Sequence, residues 1–189
     1  MMNSSLLLSA ATSRLVVVDM QEKLVPTIPG SDRLVWNISR LIRGAKLFEV
    51  PTLGTEQYPA GLGHTVPQLA ADLTILPDKL SFSCVGGDGF AEVMASRVGN
   101  QVLLAGIETH VCVLQTALDL TTAGFQVFLA VDATGSRGEL DYATAVRRME
   151  SVGVTLTTTE SVLFEWCRVA GSERFKETSR LVREVCPGD

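Results

Sequence analysis

Six short apolar runs, rich in β-branched residues, recur along the chain, and stretches of helical period separate them. "RLVVVDM" (14–20) predicts a strand ending on an acid. "PTLGTEQ" (51–57) predicts a second strand and "DLTILPDKLSF" (72–82) a third strand or extended segment. "QVLLAGI" (101–107), "FQVFLAVDAT" (125–134) and "VTLTTTES" (154–161) predict the rest. Between them, Leu34, Ile38, Leu41, Ala45 and Phe48 form one apolar face of a helix over 31–49, with Ser31 or Asp32 as its cap. Further helices are expected over 89–99, 110–124 and 139–153, the last two closed by Gly124 and Gly153, and two helical stretches end the chain.

Strands that are apolar on both faces and separated by helices belong to a parallel sheet covered on both sides. The expected fold is therefore α/β: a three-layer α/β/α sandwich around a six-stranded, mostly parallel sheet. No repeat or Pro/Gly/Ser-rich linker divides the sequence, so residues 1–189 are read as one domain, with 1–12 a loose N-terminal tail. In such a sheet, ligands bind beyond the carboxyl ends of the strands, at a switch in strand order.

Three chemically distinct groups are expected at that edge. Asp19 follows strand one, Lys79 follows strand three, and Cys112 follows strand four, where the chain enters a helix. A helix start offers unpaired N–H groups and positive potential, both of which favour thiolate over thiol. Cys112 is thus the candidate nucleophile. Cys84, Cys167 and Cys186 are read as structural, with Cys84 placed near the site.

Composition narrows the function classes. With 16 Lys and Arg against 21 Asp and Glu, the net charge is −5, and no basic run exists to neutralise phosphates. No nucleic-acid partner is expected. No apolar run reaches the roughly 20 residues that span a bilayer, and the start lacks a basic segment followed by a long apolar one. The chain is read as cytoplasmic, without a membrane partner. Neither the four cysteines nor the two histidines have metal-ligand spacing, so no metal and no cofactor are expected.

VVVDMQ (16–21), the lysine in PDKLSFS (77–83) and GIETHVC (106–112) together resemble the isochorismatase-like cysteine hydrolase superfamily. The wording is most similar to a hydrolase branch without assigned substrates, related to nicotinamidases and N-carbamoylsarcosine amidohydrolases. The resemblance implies a catalytic triad of Asp19, Lys79 and Cys112. It implies a cis peptide between Ile107 and Glu108, with an oxyanion hole from the N–H groups of Glu108 and Cys112. By position it offers Gln21, Tyr58, Phe82 and His110 as substrate-binding residues, and it implies a homo-oligomer. The implied reaction is hydrolysis of an amide or related C–N bond of a small molecule through a cysteine thioester. The metal-binding set of nicotinamidases is missing from GTEQYPAGLGHT (54–65). The alternatives are a vinyl-ether hydrolase of isochorismatase type and a catalytically retired oligomeric scaffold. Trp36 and Trp166 are read as core or interface residues.

Overall fold

The computed structural model describes residues 6–95 and 99–186. Its centre is a six-stranded, all-parallel sheet in the order β3-β2-β1-β4-β5-β6. The strands are β1 (Ser13–Val18), β2 (Thr52–Thr55), β3 (Thr74–Ile75), β4 (Gln101–Ile107), β5 (Gln126–Gly135) and β6 (Thr155–Thr157). β1 and β4 are buried along their whole length. Their side chains alternate between two cores, as strand geometry requires. Leu15, Val17, Leu103 and Ala105 point to one face, and Val16, Val18, Val102 and Leu104 to the other.

Helices close both faces. α1 (Ser31–Leu47) and α7 (Thr159–Cys167) cover the first through Leu34, Ile38, Leu41, Ala45, Val162 and Trp166. α4 (Phe90–Ala95), α5 (Leu114–Thr122) and α6 (Glu139–Ser151) cover the second through Phe90, Met94, Ala117, Leu120 and Met149. Each fully buried Leu, Ile or Phe contributes about 1.5–3 kcal/mol of transfer free energy, so both layers are needed. Trp166 is a core residue, whereas Trp36 is half-buried under the Arg40 guanidinium, 4.3 Å away. Two short helices, α2 (Pro59–Leu62) and α3 (Pro67–Ala70), break the loop after β2, and α8 (Glu173–Val182) packs against α1 and α7.

Several local expectations change. The third extended segment shrinks to a two-residue edge strand, because Pro77 cannot donate to a ladder. Lys79 therefore sits in a loop, joined to the sheet only by a bridge to Gln57. Gly30, at φ 69°, stands at the start of α1, and neither Ser31 nor Asp32 caps it. The helix expected over 89–99 is described only to Ala95, and residues 96–98 lie outside the described residues. The tail expected over 1–12 is not loose where it is described. Leu8 is fully buried and its N–H donates to Glu165 Oε2 at 2.6 Å. Residues 1–5 lie outside the described residues.

Candidate active site

The chain leaves β1 towards β2 on one side and returns to β4 on the other, so the strand order switches between β1 and β4. A crevice at that point is where a parallel sheet presents loops for chemistry. Gly106 lets the two strands close on each other there. Its φ is 111°, and a Cβ would lie 2.1 Å from Val18 O.

Asp19 is the first residue past β1. It is fully buried and adopts φ 50°, a left-handed conformation that aspartate tolerates better than most residues. Its N–H donates to Thr55 O at 3.1 Å. Lys79 Nζ donates to Asp19 Oδ2 at 2.7 Å, and the Lys79 side chain is 1% exposed. The same ammonium reaches Gln57 Oε1 at 2.9 Å, Phe82 O at 3.2 Å and Ser81 O at 3.4 Å. A buried ion pair persists only when its remaining donors and acceptors are satisfied, as they are here.

Cys112 lies in a π-helical turn, Thr109–Val113, that leads into α5. π-turns widen a helix locally and are frequent at functional sites. The peptide Ile107–Glu108 is cis. Cys112 is 6% exposed, and its thiol lies within the influence of both the Asp19 carboxylate and the Lys79 ammonium. Asp19, Lys79 and Cys112, far apart in sequence, thus meet at one point.

The sequence-based expectation of a ready thiolate is corrected. Burial pushes the Cys112 thiol well above its ordinary value, the Asp19 charge adds to this, and the Lys79 ammonium offsets only part. The helix start gives less help than expected, because Glu108 O already takes the N–H groups of Val111 and Val113. At rest the sulfur is a protonated thiol beside a carboxylate.

The other residues expected at the site separate into two groups. Gln21 is not free to bind substrate. It is fully buried, and its amide is spent on Gln57 O (3.0 Å), Gly63 O (2.6 Å) and Gln57 N (2.8 Å). It fastens the Gln57 backbone, whose side chain in turn holds Lys79. Tyr58 and Phe82 each touch Lys79 through the backbone, Tyr58 N donating to Lys79 O at 3.0 Å. Their rings stand about half exposed, with Tyr58 folded over Gly61. His110 is half-buried, with Nδ1 3.0 Å from Ser136 Oγ. Ser136 and Arg137 line a cavity of about 340 Å³ with Ile28, Pro29, Thr134 and Tyr142. Arg137 donates from N and Nε to Glu108 Oε2, each at 3.1 Å, which joins that cavity to the cis-peptide residue.

Sequence reasoning missed Thr55, Thr116 and the role of Gln57. Thr55 Oγ1 donates to Asp19 Oδ1 at 2.8 Å. Thr116 Oγ1 donates to Cys112 O at 2.7 Å and accepts Cys84 N–H at 2.9 Å. Their only signal was register: Thr55 ends β2 opposite Val18, and Thr116 stands one helical turn after Cys112. In the loop where a metal set is missing, the Glu56 carboxylate is occupied by protein donors. Oε1 accepts from Thr65 N (2.6 Å) and Thr65 Oγ1 (2.8 Å), and Oε2 lies 2.9 Å from His64 Nδ1.

Comparison with known proteins agrees with the fold. A family profile described as the isochorismatase domain matches residues 13–161. Isochorismatase domain-containing protein 2A of Mus musculus is 40% identical over 181 residues, covering 93% of this chain and 85% of that protein. A solved structure described as the MAR1 ribonuclease from Caenorhabditis elegans superposes with TM-score 0.88 at 38% identity, covering 95% of this chain and 94% of that one. The YcaC gene product of Escherichia coli, described as an octameric hydrolase of unknown specificity, gives TM-score 0.80 at 27% identity, covering 89% and 85%. Among the described residues, no helix is long and apolar enough to cross a membrane. The extent of the domain match and the identity to relatives across nearly the whole chain place this protein in the isochorismatase family of hydrolases.

Proposed function

We propose that the protein hydrolyses an amide or related C–N bond of a small molecule through a thioester on Cys112. The observation that carries this reading is the fully buried Asp19–Lys79 ion pair, with the Cys112 thiol close enough for the Asp19 charge to act on it. A thiol held protonated by burial needs a base at contact distance, and Asp19 is that base. Asp19 takes the thiol proton as sulfur bonds to the carbonyl carbon. The carbonyl electron pair moves onto oxygen, which the N–H groups of Glu108 and Cys112 receive. Lys79 keeps the cluster from carrying uncompensated negative charge. The C–N bond then breaks, and the leaving amine takes the proton from Asp19. Asp19 next accepts a proton from water as it attacks the thioester. The acid departs and the thiol is restored.

The cavity lined by Ser136 and Arg137 does not include Asp19, Lys79 or Cys112 in its lining, but hydrogen bonds tie it to His110 and Glu108, which makes it the candidate room for a small substrate. The missing metal-ligand set and the occupied Glu56 carboxylate support a reaction without a metal. The free thiols of Cys84, Cys112 and Cys167 support a cytoplasmic protein. The octameric Escherichia coli neighbour supports a homo-oligomer. Three solved neighbours are described as MAR1 ribonucleases, the two from Leishmania provisionally, but a net charge of −5 without a basic run argues against a polyanion as the substrate of this chain.

The test is a panel of small amides, carbamoyl compounds and esters, with a vinyl ether and RNA as controls, followed by intact-mass spectrometry. Expected are an acyl adduct on Cys112 and hydrolysis that disappears in Cys112→Ser. Vinyl-ether cleavage that survives Cys112→Ser, cut RNA, or no adduct and no turnover across the panel would each overturn the reading.

A further inference from the structure

Asp19 and Cys112 are joined by a route of hydrogen bonds. Thr55 Oγ1 donates to Asp19 Oδ1 at 2.8 Å and lies 3.6 Å from Cys84 Sγ. A threonine hydroxyl has one proton, and this one is spent on the carboxylate. At the contact with Cys84 the hydroxyl must therefore accept, and the thiol donates. That fits Cys84, which is 1% exposed and whose thiol burial pushes up, so that it keeps its proton. The backbone of Cys84 completes the path. Its N–H donates to Thr116 Oγ1 at 2.9 Å, and Thr116 donates to Cys112 O at 2.7 Å. The hydrogen bonds run in a chain from Asp19 through Thr55, Cys84 and Thr116 to the backbone carbonyl of Cys112.

We propose that Thr55 is a positioning residue for the reaction, oriented by Cys84, and that it fixes the Asp19 carboxylate in the rotamer that accepts the Cys112 proton. The inference rests on the reading of Asp19 as the base for Cys112. Lys79 holds one oxygen of the carboxylate and Thr55 the other. Without Thr55 the carboxylate is free to turn both oxygens to the lysine and away from the sulfur. Thr55 suits this task because it is anchored twice. Its carbonyl receives the Asp19 N–H at 3.1 Å, and β2 pairs with β1 as far as the Val18–Thr55 register. Cys84 makes the hydroxyl a one-way donor by occupying its acceptor side.

Alkylation of Cys112 by iodoacetamide, followed by peptide mass spectrometry, reads proton removal from the thiol without a known substrate. In the wild type the proton passes internally, so the rate is expected to stay flat over about pH 6–8, and in Asp19→Asn to climb roughly tenfold per pH unit, as a thiol titrating to solvent does. Thr55→Val is expected to keep the flat profile at about one-tenth of the rate, the value of a hydrogen bond to a charged group. Thr55→Ser keeps the hydroxyl and restores the rate to within about twofold of wild type. Cys84→Ala falls between these, and Cys84→Ala combined with Thr55→Val is no slower than Thr55→Val alone, because both act through one contact. A role in folding alone would lower the denaturation midpoint of Thr55→Val while its folded protein reacted like wild type. That result, or failure of Thr55→Ser to rescue, overturns the inference. An unchanged pH profile in Asp19→Asn overturns instead the reading of Asp19 as the base.

Discussion

Asp19 holds two partners, Lys79 on one oxygen and Thr55 on the other, and its charge acts on the nearby Cys112 thiol. The energetic risk lies in the ion pair. Two charges that are almost wholly buried are tolerable only together, and removing one leaves the other stranded. Lys79→Ala is therefore expected to cost about 3–5 kcal/mol in urea denaturation, besides abolishing activity. Adding Asp19→Asn removes the stranded charge, so the double variant is expected to be more stable than Lys79→Ala alone. A Lys79→Ala protein within about 1 kcal/mol of wild type would mean that water reaches the pair. At this scale the meeting of Asp19, Lys79 and Cys112 was legible in the sequence, because strand ends and motif spacing mark where side chains emerge. The state of the thiol was not. Helix position argues for thiolate, but burial and a neighbouring carboxylate decide otherwise, and neither is visible before the chain is folded. Gln21 failed as a substrate ligand for a similar reason. A glutamine two residues after the candidate base invites a binding role, and only the fold shows its amide already spent on backbone.

The elements carry their information in unequal ways. β4 spans the stretch its apolar run predicts, and Gly124 and Gly153 stand in left-handed conformations just past α5 and α6 as expected. β3 was over-read, because an edge strand two residues long leaves little periodicity and Pro77 interrupts it. The π-turn at Cys112 leaves no mark on a helical period. Among the glycines, Gly106 and Gly153 separate two effects that sequence treats alike. Both have positive φ, 111° and 96°. A methyl group at Gly153 meets nothing within 4 Å, whereas at Gly106 it meets Val18 O at 2.1 Å and Val18 N at 2.5 Å. Gly153→Ala is expected to cost about 1–2 kcal/mol, the price of the backbone conformation. Gly106→Ala must also part β1 from β4 beneath the triad, and an additional loss of at least about 2 kcal/mol is expected, with Cys112 reactivity lost as well. Equal denaturation midpoints for the two variants would contradict the close approach of the strands.

For the whole molecule, the reading of a six-stranded parallel sheet held, because buried β-branched runs and intervening helices admit few arrangements. What stayed hidden was how the loops at the carboxyl ends of its strands are tied down, and one tie makes global stability depend on pH. Burial alone would push the Glu56 carboxyl up, but hydrogen bonds from Thr65 and His64 outweigh it and hold it below its ordinary 4.5. Its hydrogen bond and charge in turn raise His64 above its ordinary 6.5. The carboxylate's contribution is present above 4.5 and fades as pH falls through the lowered folded value. The imidazolium's contribution is complete below 6.5 and is lost as pH rises through the raised folded value. The pair therefore stabilises most between those two ordinary values and weakens on both sides. His64 is exposed, so solvent screens the charge and the alkaline loss is small. Thermal melting of wild type and His64→Ala should differ most near pH 5.5 and converge as pH rises through the raised His64 value. The same loop carries Gln57, which holds Lys79, so slackening the pair reaches the triad as well. A melting difference that stays constant as pH rises through the raised His64 value would show that His64 acts through its shape and not through its charge.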